Sequence, residues 1–170
     1  MKTLPRTLLL ATFLLLLLAL EGCGFRLRGS VELPPQLSVL HVVDAGHSHQ
    51  LRRALQQGLD AAGVERVDDL LQATAQLRID EESYRRRESL IDRRGQIAEY
   101  ELTYRLQFSL RDGDGESLLD SAEVELSRFL RYDYSQLLAK EREEEELRNH
   151  MVQQAVQAML RLLQADAQWK

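Results

Sequence analysis

The chain has 170 residues, with 22 Lys and Arg against 27 Asp and Glu, for a formal charge of −5. That acidic balance argues against a general nucleic-acid binder, whose footprint would be basic. A single cysteine excludes an internal disulfide framework, and the length suits one ordinary domain once a leader is set aside.

The N-terminus reads as such a leader. Lys2 and Arg6 precede an apolar run from Leu8 to Leu20, which is the layout of a signal peptide with a basic n-region and an apolar h-region. The run falls short of the about 20 apolar residues that a spanning helix needs. It ends in Leu20-Glu21-Gly22-Cys23, which resembles a lipobox: an aliphatic residue three positions before the cysteine and a small residue directly before it. Glu21 departs from that pattern, which usually has a small residue there. Cleavage would remove residues 1–22 and leave Cys23 at the new N-terminus. Lipidation would then consume a thiol that has no disulfide partner in an oxidising compartment. No cofactor is expected beyond the covalent diacylglycerol and acyl group on Cys23. Together these chains anchor stably, since each buried methylene contributes about 0.8 kcal/mol and one chain alone binds reversibly. Gly24 follows the cysteine, with no Asp of the kind that retains lipoproteins in the inner membrane, so the sorting pattern points to the outer membrane, on its periplasmic side. Loss of Lys2, Arg6 and Glu21 with the leader makes the remainder more acidic still.

Residues 23–36 read as a lipidated tether, in which Pro34 and Pro35 favour extended backbone and block helix. A single domain is expected over residues 37–165, with 166–170 as a short end. Leu37 to Val43 is an apolar, β-branched run bounded by the prolines and by Asp44-Ala45-Gly46, and predicts a strand buried on both faces. Ser48 can cap a helix from His49 to Ala62, whose Leu51, Leu55, Leu59 and Ala62 recur at spacings of three and four, with Gly63 as the left-handed stop. From Ala75 the period changes to two. Between Ala98 and Leu110 every even position is apolar, and every odd one from Glu99 on is polar, which predicts a long half-buried strand. Arg93-Arg94-Gly95 joins it to a preceding strand, Ala75 to Leu90, and Asp112-Gly113-Asp114-Gly115 leads into the next, Ser117 to Tyr132. A last helix is predicted from Ser135 to Gln164: Leu147, Met151, Ala155, Met159 and Leu163 recur every four residues, and Val152, Val156 and Leu160 widen the stripe. The order β-α-β-β-β-α predicts an α/β two-layer sandwich, a four-stranded mixed sheet with two helices packed on one face. Glu99, Glu101, Thr103, Arg105 and Gln107 would then stand on the other face.

Candidate chemistry is sparse. His41, His47 and His49 lie close in sequence, but no cysteine or glutamate completes a metal-binding spacing, and no metal site is expected. No serine sits in a G-x-S-x-G elbow, and no carboxylates are organised by a histidine or metal motif, so the chain is not read as an enzyme. Glu141 and Glu143 to Glu146 read as a solvated helix face near the positive end of the helix dipole. Arg85, Arg86 and Arg87, with Arg93 and Arg94, concentrate positive charge around one turn of an acidic chain. Guanidinium groups suit phosphate because they offer two parallel donors. The same residues could instead pair with Glu81, Glu82, Glu88 or Asp92 on a solvated hairpin, and both readings stay open on spacing and charge alone.

Cys23-Gly24-Phe25-Arg26-Leu27-Arg28-Gly29 closely resembles the start of the mature proteins of the LptE (RlpB) family of lipopolysaccharide-assembly lipoproteins. Gly95-Gln96 with Ala98-Glu99-Tyr100, and Leu138-Ala139-Lys140 at the opening of the last helix, match as well, and the element order agrees from end to end. The resemblance implies a plug inside the lumen of the LptD β-barrel, in a one-to-one complex, that assists assembly of the barrel and takes part in delivering lipopolysaccharide to the outer leaflet. It also implies that Arg93 and Lys140 contact lipopolysaccharide phosphates. Arg94 is a neighbouring candidate without that match. The rival expectations are a purely structural plug without direct lipopolysaccharide binding, and another periplasmic lipoprotein of the same fold.

Overall fold

The computed structural model describes residues 31–43 and 47–165. The leader, the lipobox with Cys23, the Cys23–Gly29 signature, the Asp44-Ala45-Gly46 turn and residues 166–170 lie outside the described residues. Strand β1 spans Val39–Val43, helix α1 His49–Ala61, β2 Glu65–Val67, β3 Ala75–Ile91, β4 Ile97–Asp112, β5 Ser117–Arg131 and helix α2 Leu137–Ala165. Single 3₁₀ turns at Pro35–Leu37, Leu70–Gln72 and Tyr134–Gln136 connect them.

The sheet is mixed, in the order β2-β1-β3-β4-β5. It has five strands where sequence periodicity predicts four. The additional strand, β2, has only three residues, with Glu65 and Arg66 exposed, so it carries no readable period. It forms because the chain leaving α1 runs back parallel to β1, pairing Val39 with Glu65 and His41 with Val67. A second correction concerns β1, which starts at Val39 rather than Leu37, since Leu37 closes the 3₁₀ turn with its N–H donating to the Pro34 carbonyl. Only Leu40 of β1 is fully buried, because both helices cover one face of the sheet and leave the other open.

Local chemistry sets the helix ends. Ser48 Oγ accepts the Leu51 N–H at 3.1 Å, an N-cap that satisfies one of the free donors of the first turn. At the other end Gly63 has φ +72°, the Gly63 N–H donates to Asp60 O and the Val64 N–H to Leu59 O, which is a complete Schellman closure. Leu51, Leu55 and Leu59 of α1 meet Met151, Val152, Ala155, Val156, Met159, Leu160 and Leu163 of α2 in one core. The even positions of β4, Leu102 through Leu110, are all fully buried in that core. Ahead of β1, Val31 is buried and Leu33 packs against the same cluster.

β3 and β4 form a hairpin far longer than the strands beside it. β1 lies against only the first residues of β3, with Leu40 opposite Ala75 and Val43 opposite Arg78. The 17 residues of β3 extend about 50 Å at a strand's rise per residue, so most of the hairpin projects as an arm past β1. β5 pairs along the arm up to Arg131 opposite Glu99, and α2 starts beside the tip and runs back over the sheet. None of the residues from Leu137 to Leu147 is fully buried. The apolar core thus fills one end, and the arm is covered by the polar first half of α2.

Gly58 is where the helices touch: a Cβ built there would lie 3.0 Å from both Leu160 Cδ1 and Val156 Cγ1. Gly58→Leu is expected to wedge α1 from α2 and cost about 1–3 kcal/mol, read as a lower denaturation midpoint at an unchanged slope.

Candidate functional site

The two hairpin turns share one construction. In Asp92-Arg93-Arg94-Gly95-Gln96 the Asp92 carboxylate accepts the N–H groups of Arg94 and Gln96 at 2.7 and 2.9 Å, and Gly95 supplies φ +77°. In Asp112-Gly113-Asp114-Gly115-Glu116 the Asp112 carboxylate accepts from Asp114 and Glu116 at 3.0 and 2.8 Å, and Gly115 supplies φ +88°. Each is a tight turn closed by a left-handed glycine. They differ in cargo: the first presents two arginines at the end of the arm, the second an aspartate at the opposite end of the sheet. Because Asp92 Oδ1 already takes two backbone donors, its carboxylate serves the turn, and no ion pair joins it to Arg93 or Arg94 among the described residues. Both arginines are exposed.

The other arginines are distributed by strand alternation. Arg86 faces the helix side, donating from Nη1 to Glu144 Oε2 at 2.7 Å and lying 4.5 Å from the centre of the Tyr100 ring. The hydrogen bond to Glu144 holds its guanidinium above its ordinary basicity. Arg87 faces the open side and pairs with Glu101 at 2.6 Å. Arg85, also on the open side, has no ion pair among the described residues. The pairing therefore runs to Glu144 and Glu101, and not to Glu81, Glu82, Glu88 or Asp92.

Glu144 is the member of the acidic run that sequence reasoning missed. It also accepts the Tyr84 hydroxyl at 3.0 Å, while Glu141, Glu143, Glu145 and Glu146 are exposed as a solvated face. Arg148, one turn on, lies 4.8 Å from the Tyr84 ring centre, and its buried Nε has no hydrogen-bond partner among the described residues. Tyr100, Tyr132 and Tyr134 stack edge to face at 5.2 and 5.1 Å. A cation–aromatic seam of this kind holds the start of α2 to the arm, beside the buried Leu102 and Leu130.

Lys140 lies in the first turn of α2. Its side chain is only 17% exposed and its Nζ is 2.7 Å from Glu143 Oε2. Asp133, just before the helix, is held below its ordinary carboxylate range, first by the Ser135 hydroxyl and then by the Ser135 N–H, with a smaller contribution from the positive charge of Lys140. Lys140 is thus at the tip end of the molecule but on a different element from Arg93 and Arg94. Around them the surface is apolar as well as cationic: Leu90, Ile91, Phe129, Tyr134, Leu137 and Leu138 are all exposed. Neighbouring guanidinium and aliphatic groups suit a ligand that is itself anionic and amphiphilic.

The histidines go to separate partners. His41 Nδ1 is 3.2 Å from Val67 O, His47 Nε2 is 3.2 Å from Ile79 O, and His49 contacts Arg52. No group of three potential metal ligands occurs among the described residues.

The LptE family, described as lipopolysaccharide-assembly, matches residues 37–163. The chain belongs to the LptE family. It is 33% identical over 150 residues to an LPS-assembly lipoprotein LptE of Yersinia enterocolitica, covering 88% of this chain and 72% of that protein. A second such lipoprotein, from Pectobacterium atrosepticum, is 31% identical, with 88% and 80% covered. The solution structure of a lipoprotein B from Nitrosomonas europaea superposes with a TM-score of 0.71 at 28% identity, covering 84% of this chain and 91% of that one. This LptE-family chain is therefore a lipoprotein of lipopolysaccharide assembly, with the mixed sheet and two helices of its relatives, and the family is named for assembly rather than for a catalysed reaction. Among the described residues no helix is long and apolar enough to cross a membrane.

Burial, followed by the hydrogen bond to Glu144, raises the Tyr84 hydroxyl above the ordinary tyrosine range. Burial, followed by the charge of Glu82, does the same at Tyr104, whose hydroxyl donates to Glu82 at 2.9 Å. A raised pKa means that these contributions to stability are complete below the unfolded tyrosine value near 10 and are lost as pH rises through the folded value. In an alkaline absorbance titration, Tyr84→Phe and Tyr104→Phe should each remove a late-ionising step. Loss of an early step instead would show that the seam is open to solvent.

Proposed function

We propose that the chain is anchored in the outer membrane through lipids on Cys23, plugs the LptD β-barrel and assists its assembly, and binds lipopolysaccharide at the arm tip through Arg93, Arg94 and Lys140. The observation that carries this reading is the placement of two exposed arginines, free of ion pairs among the described residues, at the end of the arm farthest from where the chain enters the core. Val31 and Leu37 are buried at the β1 end, and the tip lies about 50 Å further along the hairpin. That reach exceeds the hydrocarbon thickness of a bilayer, about 30 Å. A tether held at the periplasmic leaflet would allow the tip to reach the far leaflet within a wide, polar barrel lumen. Lipid A carries phosphates and acyl chains, and the tip offers guanidinium and aliphatic groups side by side.

Arg93→Asp with Lys140→Asp is the direct test. Loss of charge-assisted contacts should weaken lipopolysaccharide binding by about 10-fold or more, measured on the purified protein, with Arg93→Asp alone, at an exposed turn, leaving the melting curve unchanged. Unchanged affinity would contradict the phosphate role. The purely structural plug is favoured by one observation, the internal pairing of Lys140 with Glu143. On that reading the double variant loses copurification of the barrel from membranes and keeps its affinity for lipopolysaccharide.

A further inference from the structure

The open face of the sheet carries a second arrangement. Directly opposed residues on neighbouring strands share a face, so the pairings define three rows across it: Arg87, Glu101 and Phe129; Arg85, Thr103 and Ser127; Ser83, Arg105 and Glu125. In the first row Arg87 pairs with Glu101 at 2.6 Å. In the third Arg105 pairs with Glu125 at 2.6 Å and approaches Glu123 at 3.4 Å. The middle row is short, with Thr103 Oγ1 and Ser127 Oγ 3.4 Å apart. Two ion-paired ridges therefore flank a trough of about 280 Å³, close to the small end of ligand clefts, about 300 Å³.

The lining has a definite chemistry. Both of its carboxylates, Glu101 and Glu125, are already neutralised by Arg87 and Arg105, and Arg85 is exposed with no carboxylate partner among the described residues. Glu123 also reaches Arg105, so the charges around the trough balance, and Arg85 is the one guanidinium of the lining left without an ion pair among the described residues, alongside the hydroxyls of Ser83, Thr103 and Ser127. Phe129, next to Glu101 in the first row, is 61% exposed and presents an aromatic ring at the end of one ridge. A guanidinium matches phosphate with parallel donors, hydroxyls match hydroxyls as both donor and acceptor, and every residue that lines the trough is polar or charged.

We propose that this trough is a phosphosaccharide site, separate from the tip, that takes the sugar-phosphate part of an amphiphile whose lipid part lies at the arm tip. The proposal deepens the lipopolysaccharide reading; because the tip is also assigned phosphate, the lipid-free probe is titrated into both the wild type and the Arg93→Asp, Lys140→Asp variant, where the binding that remains reports the trough alone. The full-length lipidated protein in detergent is titrated calorimetrically with deacylated lipopolysaccharide, and then with the same saccharide after dephosphorylation. The phosphorylated form should bind, and removing the phosphates or substituting Arg85→Ala should weaken binding about 10-fold or more. Ser127→Trp should fill the trough and abolish binding, in a strand position where an aromatic residue is well tolerated. Arg85 is exposed, so its variant keeps the fold even if Ser127→Trp does not. Failure of the wild type to bind the saccharide, or wild-type affinity in Arg85→Ala, overturns the proposal whatever intact lipopolysaccharide does at the tip. Loss of barrel copurification in Ser127→Trp with saccharide binding intact also overturns it, and makes the face a protein contact.

Discussion

The extra residue at Asp80 in β3 decides how the arm is built. Ile79 stands opposite Phe108 and Glu81 opposite Gln107, so the pairing slips by one at Asp80. A bulge of this kind exchanges the two faces of the strand beyond it. Before it Ala75, Leu77 and Ile79 point into the core; after it Glu82, Tyr84, Arg86 and Glu88 share the helix side with the even residues of β4. In unbroken register Arg85 and Arg87 would lie under α2 with Tyr84 and Arg86 turned outward. The bulge instead brings Glu82 to Ser48 and Tyr104, and Tyr84 and Arg86 to Glu144.

That exchange divides the molecule into two kinds of packing. The β1 end, with α1 and the second half of α2, is closed by aliphatic burial. Along the arm the apolar core narrows to Leu102, Leu106 and Leu130, hydrogen bonds and cation–aromatic contacts between β3, β4 and the start of α2 close the rest, and the arm ends in exposed leucines, isoleucine and arginines. Fewer buried apolar contacts mean easier local opening, so the arm is the end best able to adapt to a large ligand. The apolar end carries the chain that leads back to Cys23.

Much of this was legible in the residues. The alternation from Ala98 to Leu110, the stripe from Leu147 to Leu163 and the two glycine-closed turns each follow from a local period or a single φ requirement. What was not legible depended on contacts distant in sequence. β2 is too short to show a period and exists through β1. The bulge falls in Asp80-Glu81-Glu82, where three like residues give no apolar position to mark the change of face. Glu144 looked like its neighbours in an acidic run, and only the crossing of α2 over the arm, 58 residues from Arg86, singles it out. The tip arginines could be placed from sequence because Gly95 fixes the turn, whereas the burial and pairing of Lys140 could not.

The two turns, alike in backbone and opposite in position, provide an internal comparison for the central claim that lipopolysaccharide meets the molecule at the arm tip. A photoreactive residue is placed at Arg94 or at the equivalent Asp114 in cells, and crosslinked lipopolysaccharide is quantified. Contact at the tip would give adducts at position 94 and none above background at 114. Equal labelling at both, or labelling confined to 114, would contradict it.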